Sequence, residues 1–99
     1  MATCKSDRDF VIEQLGQLEG FLCKPMMGEY LLYCKNKLFG GIYDGRVLLK
    51  KTKSNEKYDL EEIIPYKGAK PMYFLEDIED TEKAYGIILD TWEDLPFKK

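Results

Sequence analysis

The chain has 99 residues, with 15 basic and 18 acidic side chains and a formal net charge of −3. This length suits one domain, residues 1–99, and a hydrophobic content of 44% favours a packed globule over a disordered tail. No apolar run approaches the roughly 20 residues that cross a bilayer, and the polar N-terminus lacks an export signal. We therefore expect a cytoplasmic protein that does not associate with membranes.

The first predicted element is an amphipathic helix over residues 6–19. Val11, Leu15 and Leu18 recur at i, i+4 and i+7, which places them on one apolar stripe of a helix. Gly20 follows, and a glycine in the left-handed conformation is a common helix stop.

The chain then changes to strand-like patterns. Asp44-Gly45 lies between two apolar runs and predicts a tight hairpin, because both central residues of a type I′ turn need positive φ. Gly40-Gly41 inside a strand indicates a bulge, or a place where another backbone or a large side chain comes close. The pattern predicts an antiparallel meander of three or four strands, over residues 21–26, 29–34, 38–43 and 46–50.

Residues 56–62 predict a short middle helix that ends before Pro65, and residues 71–75 predict a last strand. Asp80 is expected to cap a closing helix over residues 81–95. Its stripe at helical spacing should pack on the sheet and consists of Tyr85, Ile88, Leu89 and Trp92. The predicted fold is α+β, an antiparallel meander with an N-terminal helix, a short middle helix and a closing C-terminal helix.

The composition argues against catalysis. The chain has no histidine, which removes the commonest general base and the commonest metal ligand. Its three cysteines form no CxxC pair, so we predict no catalytic residues, no metal and no cofactor. A small enzyme that uses carboxylates or Cys34 stays open as the weaker alternative, although Cys34 also fits a half-buried apolar position.

Charge is unevenly distributed along the chain. Residues 76–95 are strongly acidic, and the middle of the chain holds a possible basic patch that consists of Arg46, Lys50, Lys51, Lys53 and Lys57. These lysines suggest a nucleic-acid accessory domain as an alternative function, although the negative net charge disfavours direct sequence-specific DNA binding. The asymmetry, with an open sheet edge, also favours a homodimer.

The segment from Met26 to Tyr30 is the most unusual in composition. Two methionines beside a glycine and a tyrosine occur at adaptable binding surfaces, although such a pattern more often reflects gap-filling core methionines. We predict a surface for an unidentified protein partner that consists of Met26, Met27, Gly28, Tyr30, Gly40 and Gly41.

Three stretches together resemble the N-terminal domain of the TfoX/Sxy competence regulators. They are residues 24–33 (KPMMGEYLLY), 37–46 (KLFGGIYDGR) and 65–72 (PYKGAKPM), and the similarity continues to Asp94-Leu95-Pro96. The family's more common Met-Phe-Gly-Gly is Met26-Met27-Gly28-Glu29 here, as in a short stand-alone branch.

The resemblance implies an α+β domain with a helix first, then an antiparallel sheet, then a closing helix. It also implies a positive regulator of DNA-uptake genes that works with a cyclic-AMP-responsive activator, and it supplies no catalytic residues. The expected function is a non-enzymatic cytoplasmic interaction module, linked to transcription or competence, that acts through protein contacts.

Overall fold

A computed structural model describes residues 4–95 and confirms the α+β class. Two helices flank a six-stranded antiparallel sheet in which the strands lie in the order β1-β2-β3-β4-β6-β5. The elements are α1 (Lys5–Leu15), β1 (Phe21–Met26), β2 (Glu29–Cys34), β3 (Lys37–Tyr43), β4 (Arg46–Leu49), β5 (Glu62–Ile63), β6 (Met72–Phe74) and α2 (Thr81–Glu93). Neither helix is long and apolar enough to cross a membrane, within the described range.

Strands β1 to β4 form the predicted meander, joined by three two-residue turns. Both residues of each turn have positive φ, which matches the twist of the flanking strands. The turns are Met27-Gly28, Lys35-Asn36 and the predicted Asp44-Gly45. Strands β6 and β5 extend this sheet beyond β4.

The predicted short middle helix over residues 56–62 is wrong. Only Glu56–Tyr58 forms a single 3₁₀ turn, and Asp59 then adopts the left-handed conformation, with φ at 52°. Glu62 and Ile63 instead pair with Tyr73 and Met72 as β5, so the backbone of this segment is used in the sheet.

Both main helices end earlier than predicted. α1 ends at Leu15, because the chain turns at Gly16, although Leu18 is still buried. Asp80 caps α2 as predicted and accepts a hydrogen bond from the Lys83 amide at 3.3 Å. A proline cannot continue a helix, so the sequence also predicts that α2 ends before Pro96, which lies outside the described residues.

The buried face of α2 shares only Ile88 with the predicted stripe, of which Tyr85 and Trp92 are half-buried. Leu89 is 38% exposed, whereas Ile88 is fully buried. Ala84, Ile87 and Thr91 complete the buried face, so it is centred one position before the stripe that apolar residues alone indicate.

The sheet has two unlike faces. Leu32 and Cys34 of β2 point to one face, where they join the main core together with residues of α1 and α2; we call this the helix face. Leu31 and the alternate positions of neighbouring strands point the other way, to what we call the open face. Tyr33, Tyr43 and Leu48 are buried there, outside the main core cluster.

Candidate binding surfaces

A groove of about 580 Å³ lies on the open face, between the sheet and the segment that joins β5 to β6. Leu31 and Gly40 line it from the sheet, and Tyr66 and Lys70 line it from the connecting segment. The rings of Tyr43 and Tyr66 are 6.2 Å apart between centroids and tilted by 47°. This pair therefore joins the sheet to the segment that covers it.

The paired glycines of β3 allow this close arrangement. A Cβ on Gly41 would lie 2.6 Å from the Tyr30 carbonyl oxygen and 2.8 Å from the Tyr43 ring, and a Cβ on Gly40 would clash with the Leu48 carbonyl. The register of β2 and β3 also shifts after Leu32. The predicted bulge and close approach are thus confirmed, and both glycines serve the sheet rather than an exposed surface.

Three lysines line the groove, and they differ in their pairing. Lys51 Nζ lies 3.0 Å from a Glu62 carboxylate oxygen. Lys50 and Lys70 form no ion pair within residues 4–95. None of the residues that line the groove is acidic. The groove is therefore an apolar and aromatic space with positive charge at its boundary.

The six residues of the predicted partner surface do not form one exposed patch. Met27 is 98% exposed at the β1–β2 turn, with φ at 49°, and Gly28 follows it at 89°. Tyr30 is half-buried against the core and lies 5.6 Å from the Arg8 guanidinium, measured to the ring centroid. Met27 alone of the set presents a large side chain fully to solvent.

The possible basic patch is divided between the two faces and largely paired with carboxylates. Arg46 lies 3.9 Å from Asp44, and Lys57 Nζ lies 3.2 Å from an oxygen of Asp90 in α2. Lys50 and the Glu62-paired Lys51 line the groove instead. Of these five cations, Lys53 alone lies outside the groove without an ion pair in the described range. Hydrogen bonds from Ser54, together with the charge of Lys53, lower the pKa of the Asp94 carboxyl.

The thiol of Cys34 is poorly suited to nucleophilic chemistry. It is fully buried, and its Sγ donates a hydrogen bond to the Glu19 carbonyl oxygen at 3.2 Å. Burial raises the pKa of the Cys34 thiol, which disfavours the reactive thiolate. Residues 4–95 contain no cluster of three or more Cys, Asp or Glu side chains arranged to hold a metal ion.

The sequence patterns did not reveal the groove. Its outer wall comes from residues 65–71, a segment whose sequence predicts mainly a loop. The available signals were Tyr66, an aromatic residue in that loop, and the prolines at 65 and 71, which restrict its ends.

The chain is similar to an uncharacterized protein. No family model matches the chain, and no solved structure matches it. The chain is 33% identical over 102 residues to an uncharacterized 12.7 kDa protein in the trpE 5′ region of Spirochaeta aurantia. The match covers the whole chain and 89% of that protein. The chain belongs to the family of this spirochaete protein.

Proposed function

We propose that this protein is a non-enzymatic interaction module that binds a protein partner through the Met27 turn. The resemblance to the TfoX/Sxy N-terminal domain supports a regulatory role linked to transcription or competence, exercised through that contact. The observation that carries the proposal is the conformation and exposure of Met27.

The left-handed backbone conformation of Met27 destabilises the fold, and the exposed side chain does not compensate for this. Placing a residue that has a Cβ in the left-handed region costs roughly 1–2 kcal/mol of folding free energy. Asn tolerates this conformation better than most residues, and Gly adopts it without that cost. The Met27 side chain offsets none of this cost, because it is 98% exposed. A flexible thioether held on a rigid two-residue turn is instead well suited to enter an apolar pocket of a partner.

Two features support the non-enzymatic part of the proposal. Cys34 is buried with a raised thiol pKa, and the Asp90 carboxylate is engaged by Lys57 and by the Tyr58 hydroxyl. Arg46, Lys51 and Lys57 each lie beside a carboxylate of this chain. Cations that are already paired displace few counterions from the phosphate backbone of a nucleic acid, so this pairing supports protein contacts over nucleic-acid contacts.

The test uses Met27→Asn, which removes the thioether and supplies a side chain that tolerates the left-handed turn. We expect its free energy of unfolding to be unchanged or higher by up to about 1 kcal/mol. Capture of the partner from native cytosol should fall by about tenfold or more, as for a central contact residue. The matched control is Ile64→Asn, which removes another exposed apolar side chain, 58% exposed, and should leave capture unchanged.

Further outcomes distinguish this proposal from the nucleic-acid and homodimer hypotheses. Equal capture by the wild type and a folded Met27→Asn would refute the Met27 turn as the contact. Retention of the protein on DNA at about 50 mM salt, falling steeply as salt rises, would favour the nucleic-acid reading instead. If light scattering shows a dimer that Met27→Asn dissociates, the partner is a second copy of the chain.

A further inference from the structure

We propose that the groove on the open face binds a small organic phosphate, a phosphate monoester with an aromatic body. This site is separate from the Met27 turn, and its ligand is a small molecule rather than a protein. Three properties of the groove support this site: its volume, its lining and the pairing of its lysines.

The groove has the size and lining of a small-molecule site. Such sites have volumes of roughly 300–1,000 Å³ and are mostly apolar, with a few polar groups that fix orientation. This groove measures about 580 Å³ and is lined mostly by apolar and aromatic residues, among them Leu31, Leu38, Tyr43, Tyr66 and Met72. Tyr43 is buried and Tyr66 is 60% exposed, so an aromatic body has one fixed and one accessible ring to contact.

The charges select an anion. Lys50, Lys51 and Lys70 line the groove, and no acidic residue does. Each ammonium group is a point charge, and Lys50 and Lys70 together supply two positive charges that no carboxylate within residues 4–95 pairs. A phosphate monoester carries about −1.5 to −2 near pH 7, whereas a single carboxylate carries −1, so the phosphate monoester matches the charge of the groove better.

The fold makes little use of two of these lysines. Lys51 is held by Glu62, but Lys50 and Lys70 form no ion pair within the described part of the chain. Lys50 is nevertheless held in place, because its backbone amide donates to the Phe39 carbonyl at 2.9 Å. The Lys50 carbonyl also accepts a hydrogen bond from the Asn55 side chain at 2.8 Å, so the backbone of this lining residue is fixed just after β4.

The experiment measures binding of 1-naphthyl phosphate to the purified chain by calorimetry. 1-Naphthol serves as the neutral aromatic probe, and inorganic phosphate serves as the anion that lacks the aromatic body. We expect saturable binding of 1-naphthyl phosphate, with each of the other two probes weaker by about tenfold or more, since each lacks one half of the recognition.

Charge removal then tests the lysines. The double variant Lys50→Gln/Lys70→Gln should weaken 1-naphthyl phosphate by about tenfold and leave 1-naphthol unchanged. The control Lys5→Gln/Lys83→Gln makes the same change in net charge on the two helices, which pack on the other face, and should change affinity by less than about twofold. Tyr66→Ala should weaken both aromatic probes, because it removes the accessible ring.

Three results would overturn the proposal. They are no saturable binding of 1-naphthyl phosphate, equal losses in the groove and control double variants, or equal affinity for 1-naphthyl phosphate and 1-naphthol. Circular dichroism confirms that each variant is folded. Because Met27 is not part of the groove, failure here leaves the proposed partner contact standing, and failure of partner capture leaves this site standing.

Discussion

Replacement of Asn55 by alanine tests the hydrogen bonding that joins the end of β4 to α2. Asn55 is fully buried, and its side-chain amide donates to the Lys50 carbonyl and to the Thr91 hydroxyl, both at 2.8 Å. Its side-chain oxygen accepts from the Thr52 amide at 2.9 Å. One side chain thus satisfies three polar groups from two parts of the chain.

The expected cost of Asn55→Ala follows from these groups. The Lys50 carbonyl and the Thr52 amide lose a side-chain partner each, while the Thr91 hydroxyl keeps the Ile87 carbonyl at 2.9 Å. Each buried group left unsatisfied costs about 1–3 kcal/mol. For these two groups we therefore expect a total loss of about 2–6 kcal/mol in the free energy of unfolding, a large share of the roughly 5–15 kcal/mol typical of a domain.

The assay is urea denaturation followed by circular dichroism and by the fluorescence of Trp92, the one tryptophan of the chain. The control is Ser54→Ala, which removes a solvent-exposed hydrogen bond to Asp94 and should cost less than about 1 kcal/mol. A double-mutant cycle with Thr91→Val should give a coupling energy of about 1 kcal/mol, since the two side chains contact directly.

Two outcomes would refute this reasoning about Asn55. One is an Asn55→Ala variant within about 1 kcal/mol of the wild type, which would mean that water or local rearrangement satisfies the exposed groups. The other is a coupling energy near zero, which would mean that the bond to Thr91 contributes nothing to stability.

Two further predictions concern titratable groups. A thiol reagent should modify the exposed Cys4 in the native protein and reach the buried Cys34 only after unfolding, at a rate that follows the unfolding rate; equal native rates would contradict the burial of Cys34. Hydrogen bonds from Tyr58 and Lys57 lower the pKa of Asp90 in the folded state below its ordinary value of 3.8. The Asp90 carboxylate therefore stabilises the folded state above pH 3.8, and this stabilisation is lost as the pH falls through the lower, folded-state pKa. The stability advantage of the wild type over Asp90→Asn should shrink on acidification, and a constant difference in denaturation midpoints would contradict the assignment.

Local patterns predicted the parts of the fold that depend on neighbouring residues. Asp44-Gly45 specifies its turn because both residues tolerate positive φ, and Asp80 specifies the start of α2 through its own side chain. Strand β5 could not be predicted in this way. Glu62 and Ile63 form a strand because Tyr73 and Met72 are available to pair with them, which is a property of distant residues.

The two candidate sites differ in the same way, because a short stretch of sequence indicates one and distant residues form the other. The composition of residues 26–30 predicts a binding surface that includes Met27, and the Met27 side chain is 98% exposed. The groove brings together residues from Leu31 to Met72, and no short stretch of sequence shows that Lys50 and Lys70 line one space. Its existence depends on how the β5–β6 connection lies on the sheet.

One lysine of the helix face and two lysines of the open face differ in how their charges are paired, and this difference supports the anion site proposed for the open face. On the helix face, Lys37 is buried, yet its ammonium lies 3.9 Å from the Trp92 ring centroid and donates to the Trp92 carbonyl at 3.0 Å. A cation there stabilises the C-terminal end of α2, where the helix dipole is negative. On the open face, Lys50 and Lys70 have no such partner within residues 4–95, although they border an apolar groove. Charge that the fold does not use, placed beside an apolar space, is what a site for an organic anion requires.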